Sequence, residues 1–280
     1  MFRTAMLFAV LTGIFLAVGY LLAGTGGMTF ALILAFVMNF FSYWFSDKIV
    51  LSMYKAKEVS KEQNPKLHEI VEKIADNAKI PKPKIYFVDT DMLNAFATGR
   101  SPKKAAVAVT KGIMNALDED ELEGVLSHEI SHVKNRDTLT STMAATIGGS
   151  LAFLAQMAWY SLILGGRGNR QGGGNLIMLP LLILAPLAAS LVQMAISRQR
   201  EFKADEKGSI ISKKPMSLAS ALLKIENSVS KVKLKGNPAT ASMFIVNPFR
   251  GDSFVHMFMT HPPTAKRVEK LKEMAHKMKV

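Results

Sequence analysis

The sequence of 280 residues contains no cysteine, which excludes structural disulfides and cysteine-ligated zinc. Acidic residues are also scarce beside basic ones, 22 against 35, so the formal net charge is +13. Apolar residues nevertheless make up 49% of the chain. High apolarity beside many charges predicts a chain divided into membrane segments and a charged soluble part.

Four apolar stretches hold many of these residues: 4–24, 28–45, 138–164 and 176–197. The first two are long enough to cross a bilayer as helices, and the short gap between them predicts a tight hairpin. The alternative for the first is a signal peptide. The third and fourth are rich in small residues or contain proline, which membrane helices tolerate. The alternative for this pair is a hairpin buried in a soluble core.

Positive charge is distributed unevenly around these stretches. The loops after the first and third stretches carry few basic residues, whereas the other ends carry many. The positive-inside rule therefore predicts a multi-pass protein of the cell membrane, with both termini in the cytoplasm. The C-terminal part from residue 198 is strongly basic but has no nucleic-acid-binding motif, so contact with the lipid bilayer is favoured.

The segment "VLSHEISHVKNRDT", residues 125–138, contains two histidines four residues apart. On a helix, His128 and His132 lie on one face and can bind the same ion. Glu129 lies beside the first histidine and can reach a water molecule at that ion. This is the H-E-x-x-H pattern of zinc hydrolases. The alternative is an ordinary amphipathic helix that carries two histidines by chance.

The residues before this motif predict a small α+β unit. Asp118 is expected to cap the motif helix, with Glu121 completing a capping box. Short apolar runs predict three strands, at 83–89, 94–99 and 105–110. The two histidines therefore fall in the middle of a well-defined helix.

A catalytic zinc site needs a third protein ligand. The segment "SRQREFKADEKG", residues 197–208, offers Glu201 as that ligand and Asp205 as a group that orients a ligand imidazole. The alternative is a charged helix that flanks a membrane span. Asp137 lies five residues after His132, so helical spacing predicts that it points away from the site.

The chain resembles the HtpX family of membrane-bound zinc metalloproteases, relatives of the CAAX prenyl endopeptidases. The resemblance rests on the motifs "NAFATG", "SHEISHVKNRDT", "SRQREFKAD" and "THPPTAKRVEKL", in that order. It implies one zinc ion per chain held by His128, His132 and Glu201, with Glu129 as catalytic base. It also implies an active site that faces the cytoplasm and a role in stress response and quality control of membrane proteins.

Two further site predictions follow. By resemblance to relatives, His261 is the candidate donor to the oxyanion; the alternative is a residue at a helix start, before Pro262 at the first helical position. The "NAFATG" strand could form a sheet edge that binds an extended peptide. Its substrate-binding residues would be Asn94, Ala95, Phe96 and Ala97. The alternative is a plain core strand with Phe96 buried.

The predicted fold is a mainly α membrane protein, with four transmembrane helices and a cytoplasmic zincin-like α+β metalloprotease domain. The predicted parts are a hairpin over 1–46, a catalytic part over 47–137, a second hairpin over 138–197 and a second catalytic part over 198–280. The predicted function is an integral membrane zinc endopeptidase that cleaves membrane or misfolded polypeptides. Charged residues flank the H-E-x-x-H motif and argue against an intramembrane protease. The alternatives are a CAAX-type prenyl-protein protease and a non-enzymatic membrane protein with a vestigial metal site.

Overall fold

The structure is a computed structural model, and it describes residues 2–139, 141, 198–231, 245 and 262–279. The helices are α1 (Phe2–Met53), α2 (Pro65–Ala78), α3 (Lys111–Ala116), α4 (Glu119–Asn135), α5 (Arg198–Ser212), α6 (Pro215–Lys231) and α7 (Thr264–Met278). The strands are β1 (Lys57–Glu58), β2 (Lys84–Val88), β3 (Ala95–Thr98) and β4 (Ala106–Thr110), with a 3₁₀ turn at Pro102–Lys104. The predicted combination of many helices with a small sheet is confirmed.

The helical residues of α1 fold back on themselves near Gly24. This glycine has φ +59, a left-handed conformation that breaks a straight helix. Asn39 donates a hydrogen bond to Thr12 Oγ1 at 3.1 Å across 27 residues; in a straight helix these residues would lie about 40 Å apart. A Cβ at Gly19 would lie 2.5 Å from the carbonyl oxygen of Gly27. The two halves of α1 therefore pack closely side by side, as the predicted hairpin requires.

Within the described residues, Gly24–Phe45 is the one helix that is long and apolar enough to cross a membrane. Its side chains are mostly exposed, including Phe30 and Phe36 at 68% and 71%. An apolar surface of this size is unusual for a protein in water and suits a lipid environment. The predicted span at 138–164 lies outside the described part except for residues 138, 139 and 141, and the predicted span at 176–197 lies entirely outside it. The count of four spans therefore stays a prediction.

The sheet is mixed, with strand order β1-β2-β4-β3. Strands β2 and β4 are parallel, whereas β1 pairs antiparallel with β2 and β3 pairs antiparallel with β4. The three predicted strands are confirmed within one or two residues at each end. The two-residue strand β1 was not predicted, because it is too short to show an alternating pattern. Strand β3 lies at the edge of the sheet.

Helices cover both faces of the sheet. On one face, Ile85, Val107 and Val109 pack with apolar residues of α2, α4, α5, α6 and α7 in the main core. On the other face, Phe96 and Ala108 pack with the last turn of α1. Burial of alternate residues on opposite faces follows from the two-residue period of a strand. Residues before position 140 and residues after position 197 therefore share one core. The predicted domain boundaries stay predictions.

Helix α4 starts where the capping box predicts. Asp118 Oδ1 accepts from the backbone N–H of Glu121 at 2.8 Å, and Glu121 Oε2 accepts from the N–H of Asp118 at 3.0 Å. A cap of this kind stabilises a helix by about 1 kcal/mol. The Glu121 carboxylate also accepts from Ser220 and Lys224 of α6. The same side chain therefore fixes the start of α4 and its contact with α6.

Candidate metal centre

His128, His132 and Glu201 point their ligand atoms toward one another. The two Nε2 atoms lie 3.3 Å apart. Glu201 Oε2 lies 3.6 Å from Nε2 of His128, and Oε1 lies 3.5 Å from Nε2 of His132. The three residues form a group that could hold a metal ion, and they are the ligands that the sequence predicts.

The dimensions of this group fit zinc. Imidazole nitrogen and carboxylate oxygen bind zinc at about 2.0–2.2 Å in tetrahedral geometry, which places neighbouring donor atoms about 3.3 Å apart. The two imidazole nitrogens, 3.3 Å apart, match that spacing, and each faces a different oxygen of Glu201 at 3.5 or 3.6 Å. One donor atom from each of the three residues lies within 4.8 Å of the others. Two histidines and one glutamate also form a ligand set that catalytic zinc sites use, with one position left for water or substrate.

Close packing of α5 against α4 brings Glu201 to the histidines. Gly208 makes this approach possible: a Cβ there would lie 2.8 Å from the backbone nitrogen of His128. Any other side chain would push the two helices apart. Because Glu201 lies about two helical turns before Gly208 on α5, its carboxylate reaches across the interface to both imidazoles.

Asp205 holds the imidazole of His128 from the side opposite the ligand atoms. Its Oδ1 lies 2.9 Å from Nδ1 of His128. A carboxylate in this position fixes the ring orientation and leaves Nε2 to bind metal. The structure therefore places Asp205 where the sequence predicts an orienting group.

Arg267 of α7 holds Asp205 in turn, and sequence reasoning assigned it no role. Its Nη2 and Nε donate to the two oxygens of Asp205 at 2.6 and 2.8 Å. The side chain is only 1% exposed, and Nη1 donates to the carbonyl oxygen of Ile245 at 3.2 Å. A buried fork of this kind gives both charge and fixed geometry to the carboxylate. The only sequence signal was its place in the "THPPTAKRVEKL" motif.

Asp137 corrects a prediction in part: it does not join the group of ligand atoms, but its side chain turns back to the imidazole of His132. Its Oδ2 lies 3.4 Å from Nδ1 of His132. The expectation that it points away assumed that α4 continues through residue 137. The helix instead ends at Asn135, and Arg136 adopts a left-handed conformation with φ 60. The turn brings Asp137 back to the imidazole, so each histidine has its own carboxylate on Nδ1.

The buried charges shift two pKa values. Burial by itself lowers the pKa of His128, but its hydrogen bonds to Asp205 and Glu201 outweigh this effect and raise the pKa to about 9. Burial raises the pKa of Asp205, but the charge and hydrogen bonds of Arg267 outweigh this and hold it below its usual value. Without metal, His128 is therefore protonated at neutral pH and pairs with the Asp205 carboxylate.

Glu129 links the motif helix to the sheet edge. Its Oε2 accepts from the backbone N–H of Ala97 at 3.0 Å. This N–H points away from β4. Because backbone groups alternate in direction along an antiparallel strand, the N–H and C=O of Ala95 point to the same outer edge of the sheet. The side-chain oxygen of Asn94, just before this strand, accepts from the N–H of Ile245 at 3.2 Å.

The Phe96 side chain is buried against Tyr54, with ring centroids 4.9 Å apart. The strand is therefore an edge strand, as predicted, with Phe96 buried, and its binding of a peptide stays a prediction.

His261 lies outside the described residues. The neighbouring helix α7 begins at Thr264 with Pro263 at its N-cap position. The expectation that Pro262 takes the first helical position is therefore wrong. Pro263 disfavours helical backbone in Pro262, the residue before it, so the helix begins after both prolines.

Comparison with known proteins places this site in a family. Residues 61–275 match Peptidase family M48. The protein named Protease HtpX homolog from Pyrococcus furiosus is 57% identical over 278 residues, which cover 99% of this chain and 96% of that protein. The homologue of the same name from Aquifex aeolicus is 52% identical over 272 residues, 95% of this chain and 90% of that one.

A solved structure shows the same fold. The crystal structure of Ste24p from S. mikatae superposes with a TM-score of 0.53 over 94% of this chain and 62% of that protein, at 16% sequence identity. Because the family match covers most of the chain and the HtpX homologues match it from end to end, the chain belongs to peptidase family M48 and to the HtpX proteases within it.

Proposed function

We propose that this protein is an integral membrane zinc endopeptidase that cleaves membrane or misfolded proteins in membrane protein quality control. The observation that carries the proposal is the convergence of His128, His132 and Glu201, whose ligand atoms, one from each residue, lie within 4.8 Å of one another, with Glu129 next to His128 on the same helix. A buried glutamate next to such a donor set is the arrangement that peptide hydrolysis requires.

His128, His132 and Glu201 would hold the ion, one per chain, with Asp205 and Asp137 behind the imidazoles. When bound, zinc supplies a Lewis acid that polarises the scissile carbonyl and lowers the pKa of water. The protein supplies the fixed ligand positions. Arg267 keeps Asp205 ionised and in place, which in turn keeps Nε2 of His128 directed at the ion.

Glu129 acts as the general base. It removes a proton from the attacking water as the oxygen adds to the scissile carbonyl carbon, and it then delivers that proton to the leaving nitrogen when the C–N bond breaks. The hydrogen bond from Ala97 fixes one carboxylate oxygen at 3.0 Å. This contact orients the base against the strand that we propose binds substrate.

The substrate peptide is proposed to add to β3 as an extended strand. Ala95 directs its N–H and carbonyl oxygen to the outer edge of the sheet, and Ala97 directs its carbonyl oxygen there while its N–H bonds Glu129. Asn94 and Phe96 frame these two residues. Main-chain hydrogen bonds at a sheet edge bind peptides with little dependence on sequence, which suits an enzyme that degrades many proteins. Because Ala95, Phe96 and Ala97 are all buried, this edge has to become exposed before a peptide can bind.

His261 is proposed as a donor to the oxyanion, because it precedes α7, the helix that brings Arg267 to the site. A donor at that position would stabilise the negative charge that develops on the carbonyl oxygen. Its replacement by alanine should lower kcat without releasing zinc.

The protein is proposed to be a multi-pass protein of the cell membrane with both termini and the active site in the cytoplasm. Support comes from the exposed apolar helix Gly24–Phe45 and from the distribution of basic residues. The CAAX-type alternative is not favoured, because the full-length relatives are HtpX homologues and a likeness at 16% identity concerns the fold alone.

Glu129→Gln tests the proposal and the non-enzymatic alternative together. The purified full chain in detergent is loaded with zinc and incubated with an unfolded protein substrate, with and without a chelator. Wild type should cleave the substrate only when zinc is present, and Glu129→Gln should retain zinc but lose at least about 100-fold in rate. Equal cleavage by Glu129→Gln, or no cleavage by zinc-loaded wild type, would refute the proposed mechanism.

A further inference from the structure

The turn that follows the edge strand carries a group of basic side chains. Residues 99–105 join β3 to β4 and contain Arg100, Lys103 and Lys104 but no acidic residue. Lys103 and Lys104 are exposed on the 3₁₀ turn. Within the described residues, neither lysine has a carboxylate partner. We call residues 99–105 the basic turn.

Helix α1 fixes one side of the basic turn. The Arg100 guanidinium lies 4.1 Å from the ring centroid of Trp44, next to the end of the apolar helix Gly24–Phe45. Trp is enriched at membrane–water boundaries, where its amphipathic ring lies among the headgroups. One turn further along α1, Lys48 is exposed and lies over the Phe45 ring at 5.7 Å.

A second, independent contact fixes the other side. Thr138 Oγ1 donates to the carbonyl oxygen of Gly99 at 3.0 Å, and Thr138 is the first residue of the apolar stretch 138–164. The basic turn therefore lies between the ends of two separate apolar segments. Both contacts place it at the level where those segments leave the bilayer.

We propose that the basic turn, together with Lys48, binds the headgroups of anionic phospholipids. Four cationic side chains at the boundary of an apolar helix match the charge of a phosphate-bearing surface, and such residues attract anionic lipid at short range. The inference rests on the proposed function, since it takes both α1 and the apolar stretch that begins at Thr138 to lie in a bilayer. Because the turn continues directly from β3, bound lipid holds the proposed substrate strand at the membrane surface.

Quenching of Trp44 fluorescence by brominated lipids tests this directly. The full-length Trp159→Phe protein, in which Trp44 is the only tryptophan, is placed in nanodiscs made of equal parts phosphatidylcholine and phosphatidylglycerol. In one set the phosphatidylglycerol is brominated, and in the other the phosphatidylcholine. Stronger quenching by brominated phosphatidylglycerol is expected, because anionic lipid is enriched beside Trp44. High salt should reduce the difference.

The variant Lys103→Gln/Lys104→Gln removes two of the proposed contacts. Each lost charge should lower the preference for the anionic lipid roughly fivefold. The matched control is Lys61→Gln/Lys66→Gln. Lys66 pairs with Glu119 at the start of α4, so this region lies about 25 Å from the membrane end of that helix. The control should keep the wild-type preference.

The outcomes separate this inference from the proposed membrane location. Equal quenching by the two brominated lipids, or an unchanged preference in Lys103→Gln/Lys104→Gln, would overturn lipid binding by the basic turn while α1 remains in the bilayer. An absence of quenching by either lipid would overturn the membrane location and this inference together.

Discussion

Asp137 lies 3.4 Å from Nδ1 of His132, on the ring nitrogen opposite the one that faces Glu201. Asp205 has the same relationship to His128 at 2.9 Å. The two carboxylates come from different segments: Asp137 follows the end of α4, and Asp205 lies on α5. Each ligand imidazole therefore has an anionic partner that sets its orientation independently of the other.

This pairing predicts that Asp137→Ala weakens zinc binding. Loss of a carboxylate that orients a ligand histidine typically lowers metal affinity about 10- to 100-fold. Titration of metal-stripped protein against a competing chelator measures the affinity. Asp120→Ala, an exposed carboxylate at the opposite end of α4, serves as the control and should bind zinc as wild type does. Wild-type affinity in Asp137→Ala would mean that the contact does not position His132.

Arg267→Met should destabilise the whole domain. The substitution leaves the Asp205 carboxylate buried without its main cation, and breaking a buried ion pair in this way costs about 3–5 kcal/mol. Thermal unfolding in detergent, with and without zinc, measures the loss. A double variant that also contains Asp205→Asn should recover part of the stability, because it removes the unpaired charge. If both variants unfold at the same temperature, the unpaired Asp205 charge is not the cause of the loss of stability.

Gly208→Ala should lower zinc affinity by roughly tenfold or more, because α5 must move away from α4 and Glu201 moves with it. The added Cβ would meet the backbone of His128 at 2.8 Å, a separation that real structures do not show. Gly124→Ala is the matched control. Its Cβ would meet Leu218 of α6 at 2.9 Å, so it should lower stability without a comparable effect on zinc. Equal losses of zinc affinity in the two variants would contradict the claim that close packing of α5 against α4 at Gly208 positions Glu201.

The raised pKa of His128 gives the metal-free protein a defined pH dependence. A histidine that binds its proton more tightly in the folded state stabilises that state below its unfolded pKa of about 6.5. This contribution should disappear as pH rises from about 6.5 through the folded value of about 9. The lowered pKa of Asp205 acts in a lower range, where its contribution is lost as pH falls below its usual value.

The difference in melting temperature between metal-free wild type and His128→Gln isolates this effect. It should be largest near pH 6 and shrink toward pH 9. A difference that stays constant across this range would show that the pKa of His128 is not raised. Zinc-loaded wild type should lack this trend, because a ligand imidazole is already deprotonated.

Local signals explain which parts of the fold could be predicted. The capping box of α4 depends on residues three apart, and the strands depend on short apolar runs, so the sequence alone was sufficient to predict them. The position of Asp137 was predicted wrongly because helical spacing was extended past Arg136. Arg136 has a left-handed backbone that ends the helix, and an arginine in the sequence gives no sign of that conformation. The role of Arg267 depends on how α7 packs against α5, a contact between residues 62 positions apart that no periodic pattern encodes.

Zinc titration of the metal-stripped protein, with peptide hydrolysis measured at each ratio, tests the central claim most directly. The convergence of His128, His132 and Glu201 on one point predicts that activity is absent without metal, rises in proportion to added zinc and levels off at one zinc per chain. Glu201→Ala should not reach the plateau at the same zinc concentrations. Hydrolysis that survives complete removal of metal, or that is equal in wild type and Glu201→Ala at every ratio, would contradict the account.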